Sequence, residues 1–248
     1  MRPSTFAQMV GQQRLLAADS VFRKAIETGH IHSMILWGPP GCGKTTLALL
    51  IAQYAKARFI SISAVLTGLP DVRKVLQEAE QFFQNGEKTV LFVDEVHRFN
   101  KIQQDAFLPY IEKGSVIFVG ATTENPSFEL NSALLSRCRV HVLDTVNAND
   151  IVSALKSALA DKQHGIETNI IVSDAQLHDI ANAADGDVRR ALTLLEIGAE
   201  VASTTNYELT EQILSQVLAD RTRRFDKGGD QYHDQISALH KSVRNSNP

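Results

Sequence analysis

The stretch GPPGCGKT at residues 38–45 constrains the fold of this chain more than any other feature. It follows the apolar run SMILWG (33–38) and opens the helix-like segment KTTLALLIAQYAK (44–56). A strand, a glycine-rich loop of the form G-x-x-x-x-G-K-[ST] and a helix, in this order, are typical of a phosphate-binding loop. Its glycines let the backbone turn so that its N–H groups point at an anion. A glycine-rich turn that binds nothing is the alternative, and the flanking strand and helix argue against it.

The loop predicts a site for ATP and Mg²⁺. We expect Lys44 to reach the β- and γ-phosphates and Thr45 to coordinate Mg²⁺. The residues expected to line the nucleotide here are Gly38, Pro39, Pro40, Gly41, Cys42, Gly43, Lys44, Thr45 and Thr46.

Strand-like and helix-like segments alternate over residues 33–144. The strand-like runs are rich in β-branched or aromatic residues and do not clearly alternate with polar ones, which is typical of a parallel sheet covered on both faces. The pattern predicts an α/β domain with a doubly wound parallel sheet. The predicted strands are 33–38, 57–63, 89–95, 115–123 and 138–144, and the predicted helices between them are 44–56, 71–86 and 101–114, the last two ending at Gly86 and Gly114.

From Thr145 onward the sequence shows only helical periodicity. We expect Asn149 or Asp150 to cap the first helix and Ser173 or Asp174 the second. A third helix is predicted in GDVRRALTLLEIGAEVA. The predicted domains are therefore an α/β domain at 1–144, a small all-helical lid at 145–219, and the start of a truncated C-terminal region at 220–248.

Two carboxylates follow the hydrophobic strand VLFV at 90–93. Ligands of open α/β sheets bind at the carboxyl edge, so Asp94 is expected to hold Mg²⁺ and Glu95 to polarise the attacking water. Alone, a pair of acids capping the next helix would be equally plausible. For His97 a structural role is the better interpretation.

Two further positions have a polar or charged side chain where a nucleotide site could use one. Thr122 or Thr123, at the end of the strand in GATTEN, could touch the γ-phosphate or the attacking water, although threonine also caps and turns chains. Arg137 needs an anion beside it. The phosphate site of its own domain is already served by Lys44, so that site does not require a second cationic side chain. Supplied to a neighbouring subunit, such an arginine accelerates phosphoryl transfer by about 10³–10⁵. The spacing alone does not prove action in trans.

The composition gives no bulk attraction to DNA, because the formal net charge is −3. Any DNA contact must come from local basic residues, although each candidate is more often a solvated charge. Two cysteines are too few for a disulfide framework, and no apolar run is long enough to span a membrane. The basic candidates are Arg73, Lys74, Lys101 and the segment DRTRRFDK at 220–227.

Four stretches together resemble an AAA+ ATPase, and more narrowly the replication-associated recombination protein A family. This family is related to the Werner-helicase-interacting ATPases and to clamp-loader subunits. The four stretches are GPPGCGKT, LFVDEVHRFNKIQQDAFLPYIEKG, GATTENPSFELNSALLSRC and GDVRRAL. The resemblance covers nearly the whole chain, and the second and third of these stretches are more specific than any phosphate-loop motif.

The resemblance implies roles for individual residues. Asp94 and Glu95 match the Walker B pair, Thr123 is the better match for sensor 1, and the sequence around Arg137 is similar to the clamp-loader arginine finger. Arg189 matches sensor 2, with a lid salt bridge to an aspartate (Asp185 or Asp187) as the alternative. The residues implied to surround the adenine are Val10, Gly11 and Gln12.

The resemblance also implies a DNA-dependent ATPase that acts at stalled or damaged replication forks and hydrolyses ATP between subunits. Its implied partners are DNA forks, gaps or single-stranded ends, further copies of itself in a tetramer, and single-stranded-DNA-binding or other replisome proteins, in the cytoplasm at the nucleoid. A clamp-loader subunit, a branch-migration motor and a nucleotide-switched scaffold are the alternatives. Cys42 stands where the family usually carries a small residue such as threonine, and an oxidisable thiol there predicts inhibition by peroxide.

Overall fold

The α/β domain contains one parallel sheet of five strands in the spatial order β2-β3-β4-β1-β5. The computed structural model describes residues 2–161, 165–166, 170–204 and 206–225, without the side chains of 220–225. Each predicted strand is confirmed to within two residues at either end, because each is a buried apolar run or pairs with one. The strands are β1 (Met34–Trp37), β2 (Arg58–Ser63), β3 (Thr89–Asp94), β4 (Ile117–Thr122) and β5 (Arg139–Val142).

Helices connect the five strands, and four more helices follow β5 in the described part of the chain. Those up to β5 are α1 (Gln13–Leu16), α2 (Val21–Glu27), α3 (Lys44–Tyr54), α4 (Leu69–Gln84), α5 (Lys101–Asp105), α6 (Leu108–Lys113), α7 (Pro126–Glu129) and α8 (Ser132–Leu135). After β5 come α9 (Ala148–Ala160), α10 (Asp174–Ala184), α11 (Val188–Ser203) and α12 (Glu211–Phe225). A single bridge between Ile171 and Glu208 is the exception to helical structure in the described part of this second region.

The prediction of one continuous helix over 101–114 is wrong. Helix α5 ends at Asp105 and α6 begins at Leu108. Pro109 has no N–H to donate to the Asp105 carbonyl, and its ring disfavours helical backbone just before it, so the chain restarts as a new helix. The end of α6 agrees with the prediction, since Gly114 takes the left-handed conformation at φ 75°.

The predicted cap of α9 is also wrong, whereas the next cap is confirmed. The Asn147 side chain accepts a hydrogen bond from the Asp150 N–H, so that Asn149 and Asp150 lie in the first turn. Ser173 caps α10 in a capping box with Gln176.

The two faces of the sheet bury separate cores. Leu36 and Phe92 point to one face, and Ile35 and Leu91 to the other, as alternation along a strand requires. The first core includes α3 and runs on into α9, α10 and α11. The helical region is therefore packed on the same face as the helix that follows the glycine-rich loop.

Candidate nucleotide site

The predicted site residues of the α/β domain converge at the carboxyl edge of the sheet. Trp37 at the end of β1 pairs with Thr122 at the end of β4, and Asp94 ends β3 on the other side of β4. The Gly38 N–H donates to the Thr122 carbonyl at 3.2 Å, which fixes the start of the glycine-rich loop to β4. This is the edge at which parallel α/β sheets bind ligands.

Lys44 is buried at the start of α3, and its ammonium lies inside the loop. Nζ donates to the Gly38 and Pro39 carbonyls, each at 2.8 Å. An ammonium has three N–H groups, so a third remains for a phosphate oxygen. The loop is thus arranged around a positive charge at a helix N-terminus, which is an arrangement that favours an anion.

Glycine is required in this loop by its neighbours as well as by its backbone angles. Gly41 and Gly43 have φ of 68° and 98°. A Cβ on Gly43 would lie 2.7 Å from Cε of Met9, and one on Gly41 would lie 1.8 Å from Oδ1 of Asp187. The first residues of the lid helix α11 therefore sit directly against the phosphate-binding loop.

Gln12 ties the N-terminal segment to the loop and to the end of β5. Its side-chain amide donates to the carbonyls of Asp144 at 2.7 Å and Cys42 at 3.4 Å, and its oxygen accepts from the Asp144 N–H at 3.0 Å. Gly11 lies beside Val146. The segment of Val10, Gly11 and Gln12 is therefore adjacent to the loop, while its contact with adenine stays a prediction.

The two carboxylates predicted to form the Walker B pair occupy different environments. Asp94 ends β3 with its side chain half-buried, whereas Glu95 takes a left-handed backbone conformation, φ 52° and ψ 45°, directly after the strand. Oε2 of Glu95 lies 3.3 Å from Nδ1 of His97, and the Glu95 side chain remains 35% exposed. A water molecule can therefore reach the carboxylate of Glu95, whose role as a base stays a prediction.

The two threonines at the end of β4 differ in what their side chains meet. Thr122 is fully buried, and its hydroxyl lies 3.0 Å from Nδ1 of His97 and accepts a hydrogen bond from the Glu124 N–H at 3.0 Å. Thr123 is half-buried at the same edge. A sensor role for Thr123 stays a prediction, and Thr122 is already committed to His97 and Glu124.

Arg189 lies in the first turn of α11, two residues after Asp187, the residue that contacts the loop. Asp187 caps this helix by accepting a hydrogen bond from the Arg190 N–H at 3.0 Å. Within the described part of the chain Arg189 forms no ion pair, so the salt bridge considered as the alternative is not present there. Arg189 is exposed, and its sensor role stays a prediction.

Arg137 lies away from the other site residues and has found an anion on its own chain. Its Nε donates to Oε1 of Glu112 at 2.6 Å, and Nη1 donates to the Ala133 carbonyl at 2.8 Å and the Ser136 hydroxyl at 3.1 Å. Arg139, two residues on, pairs with Met34 at the beginning of β1. Gly38 is four residues further along that strand, about 13 Å at the usual rise per residue.

Neither cysteine is placed to react. Burial raises the pKa of the Cys42 thiol, against a smaller opposing effect of the Lys44 charge. Burial raises the pKa of Cys138 to about 12. A thiol that is both buried and protonated is a poor nucleophile, so the structure argues against the oxidation expected at Cys42 from the sequence.

The residues present fit a nucleotide with Mg²⁺. The hydroxyl of Thr45 and the carboxylate of Asp94 are hard oxygen donors of the kind that Mg²⁺ prefers, and both are half-buried at the same edge. The loop offers backbone N–H groups in the alternating left-handed geometry that binds phosphate.

Comparison with known proteins agrees with this geometry. Residues 34–146 match the family model described as ATPase family associated with various cellular activities (AAA), and 166–244 match an AAA C-terminal domain. A solved structure of the Thermotoga maritima RuvB Holliday junction branch migration motor superposes with a TM-score of 0.71 at 27% identity, covering 88% of this chain and 72% of that one. The fold and the site together define an AAA ATPase.

The sequence relatives narrow the class. Replication-associated recombination protein A of Escherichia coli is 52% identical over 252 residues, covering 100% of this chain and 56% of the relative. ATPase WRNIP1 of Dictyostelium discoideum is 39% identical, covering 99% of this chain and 30% of that protein. The chain belongs to the replication-associated recombination protein A family of AAA ATPases, and it spans about half the length of the curated bacterial relatives it matches.

Sequence reasoning missed three contacts made by the candidate site residues. It took Asp187 only as a possible partner of Arg189, and it gave Glu112 no role. His97 was interpreted as structural, although the D-E-x-H spacing places it two residues after Glu95 and could have suggested the contact. No local pattern identifies Glu112 or Asp187, because both contacts join distant parts of the chain.

Proposed function

We propose that this chain is the ATPase portion of a DNA-dependent AAA+ enzyme that hydrolyses ATP at subunit interfaces and acts at stalled or damaged replication forks. One observation supports shared sites most directly. Arg137 lies at the amino edge of the sheet, about 13 Å or more from its own loop by the strand register. An arginine held there can complete a phosphate site only on another copy of the chain.

In this mechanism Lys44 and the loop N–H groups hold the β- and γ-phosphates, and Thr45 and Asp94 hold Mg²⁺. When bound, Mg²⁺ neutralises charge on the phosphates. Glu95 accepts the proton of the attacking water, and Arg137 of the neighbouring copy stabilises charge on the transferred group. Arg189 carries the change at the γ-phosphate into the lid, which packs on the α3 face of the sheet.

The proposed domains follow from this division of work. In this proposal residues 1–144 form the nucleotide-binding domain, 145–219 the lid, and 220–248 a further region. The basic segment at 220–227 lies outside the residues whose side chains are described. We propose a homo-oligomer, tetrameric in the complete protein, located in the cytoplasm at the nucleoid, with single-stranded-DNA-binding or other replisome proteins as partners. The described residues include no helix that is both long and apolar enough to span a membrane.

The proposed DNA contacts lie at the nucleotide edge of the sheet. Arg73 and Lys74 are exposed in the first turns of α4, and Lys101 is exposed at the start of α5. Changing all three to alanine is expected to reduce the slope of log affinity against log salt by about 0.7 per lost contact with single strands. Lys88→Ala, at the opposite edge of the sheet, is the matched control and should leave the slope unchanged.

The test of the proposal is the ATPase rate per chain against protein concentration, with and without forked DNA. We expect the rate to rise with both, and Lys44→Ala to abolish it. A rate that is independent of both would overturn the proposal for this chain. The structural likeness to a branch-migration motor makes that activity the second candidate, and stimulation by four-way junctions instead of forks would support it.

A further inference from the structure

His97 joins the proposed base to the end of the neighbouring strand. It lies in the short turn after β3, with its side chain only 8% exposed. Nδ1 lies 3.3 Å from Oε2 of Glu95 and 3.0 Å from Oγ1 of Thr122. One ring nitrogen therefore faces two oxygen atoms that belong to different elements of the site.

The hydrogen atoms available allow two self-consistent arrangements. The Thr122 hydroxyl accepts from the Glu124 N–H, and its own proton can go either to the Glu124 carbonyl at 3.2 Å or to Nδ1 of His97. In the first case Nδ1 can carry a proton, which faces the Thr122 oxygen at 3.0 Å and Oε2 of Glu95 at 3.3 Å, so it is available to the carboxylate. In the second case Nδ1 is an acceptor, and it has no hydrogen to offer the carboxylate.

The first arrangement orients the base. The 3.3 Å contact between Nδ1–H and Oε2 favours one orientation of the Glu95 carboxylate and leaves Oε1 to accept the proton of a water molecule. In the second arrangement nothing among the described residues restrains that carboxylate by a hydrogen bond. A catalytic group that is misplaced by about 1 Å costs on the order of 10²-fold in rate.

Thr122 connects this choice to the phosphate-binding loop. Its carbonyl accepts from the Gly38 N–H, and the residue pairs with Trp37 directly before the loop. A displacement of the loop when phosphates bind would therefore be transmitted to Thr122, and through its hydroxyl to His97.

We propose that His97 is a positioning residue for Glu95, and that the Thr122 hydroxyl competes with Glu95 for Nδ1. When the hydroxyl turns to the Glu124 carbonyl, His97 holds the base in its productive orientation; when the hydroxyl turns to Nδ1, it does not. This inference rests on the proposed ATPase function and adds a switch within the same site.

The test measures kcat and the dissociation constant for ADP in variants that are expected to change kcat in opposite directions. His97→Phe retains the ring but removes the nitrogen, so kcat should fall by between about 10- and 100-fold while ADP affinity stays at the wild-type value. His97→Asn places an amide N–H near the position of Nδ1 and should recover much of the rate. Thr122→Val removes the competitor, so it should equal or exceed the wild-type basal rate, with Thr122→Ser as the control that retains the hydroxyl.

The Glu95→Gln variant, measured in the same assay, distinguishes failure of the proposed function from failure of the inference about His97. If it still hydrolyses ATP, the proposed function fails and the inference fails with it. If it is inactive while His97→Phe turns over at the wild-type rate, only the inference is overturned. Should His97→Phe not fold, a loss of rate in Thr122→Val with normal activity in Thr122→Ser overturns the inference on its own, and a retained or raised rate supports it.

Discussion

The contact between the lid and the phosphate-binding loop makes Gly41→Ala a sharp test of the structure. The new Cβ would lie 1.8 Å from Oδ1, 2.3 Å from Cγ and 2.8 Å from Cα of Asp187. Rotation of the Asp187 side chain about its Cα–Cβ bond can relieve the first two contacts, but the third is with a backbone atom. The start of α11 must therefore move away from the loop.

The expected loss of stability in Gly41→Ala has two contributions. Left-handed backbone at φ 68° costs an alanine about 1–2 kcal/mol, and overpacking adds about 1–3 kcal/mol. Gly114→Ala is the matched control, because its φ is 75° and nothing lies within 4 Å of the added Cβ. At about 2–4 °C per kcal/mol, the control should lower Tm by several degrees and Gly41→Ala by roughly twice that.

The assay is thermal unfolding of the two variants, repeated in an Asp187→Ala background. That background removes the carboxylate but not the Cα, so the excess loss at Gly41 should shrink without vanishing, and the two changes should be non-additive. Equal Tm shifts for Gly41→Ala and Gly114→Ala would refute the contact. Strictly additive losses with Asp187→Ala would do the same.

Three further predictions concern other buried groups. Gln12→Ala should lower the free energy of unfolding by about 1–3 kcal/mol in chemical denaturation, because it removes the side-chain partner of the buried Cys42 carbonyl and of the part-buried N–H and carbonyl of Asp144. The exposed neighbour Gln13→Ala is the control and should stay within about 0.5 kcal/mol. Peroxide and thiol reagents should leave the folded ATPase unchanged because the Cys42 pKa is raised by burial, and rapid inactivation that Cys42→Ser prevents would contradict this. Burial, and then the Arg139 charge, lower the pKa of His141, so the unfolded chain binds this proton more readily; stability should be constant above the unfolded pKa of about 6.5 and fall as pH drops below it. Tm against pH checks this, and an unchanged slope in His141→Gln would contradict it.

The parts of the fold that depend on local pattern were predictable. The three central strands were predictable because continuous apolar runs such as VLFV are typical of strands buried in the middle of a parallel sheet. The phosphate-binding loop followed from its own spacing. The break at Pro109 could also have been predicted, since proline removes a helical donor, whereas the cap at Asn147 competed with two other good capping residues within three positions.

The parts of the site that depend on tertiary contacts were not predictable. Nothing local marks Asp187 as the residue that covers Gly41, or Glu112 as the anion beside Arg137, because both pairs are formed by packing of distant segments. The position of Arg137 at the amino edge required the strand register. The register places Arg139, two residues after Arg137, beside the beginning of β1, at the opposite end of that strand from the glycine-rich loop.

The most direct test of shared active sites is the ATPase rate of an equal mixture of Glu95→Gln and Arg137→Ala. Each variant alone should be inactive, since every interface lacks either a base or an arginine. In a randomly mixed ring about one interface in four combines an intact base with an intact arginine, so the mixture should recover roughly that fraction of the wild-type rate. A mixture of Glu95→Gln with Lys44→Ala should recover nothing, because Lys44 and Glu95 serve the same nucleotide. If the first mixture stays as inactive as its components, Arg137 does not act on a neighbour, and the central claim is wrong.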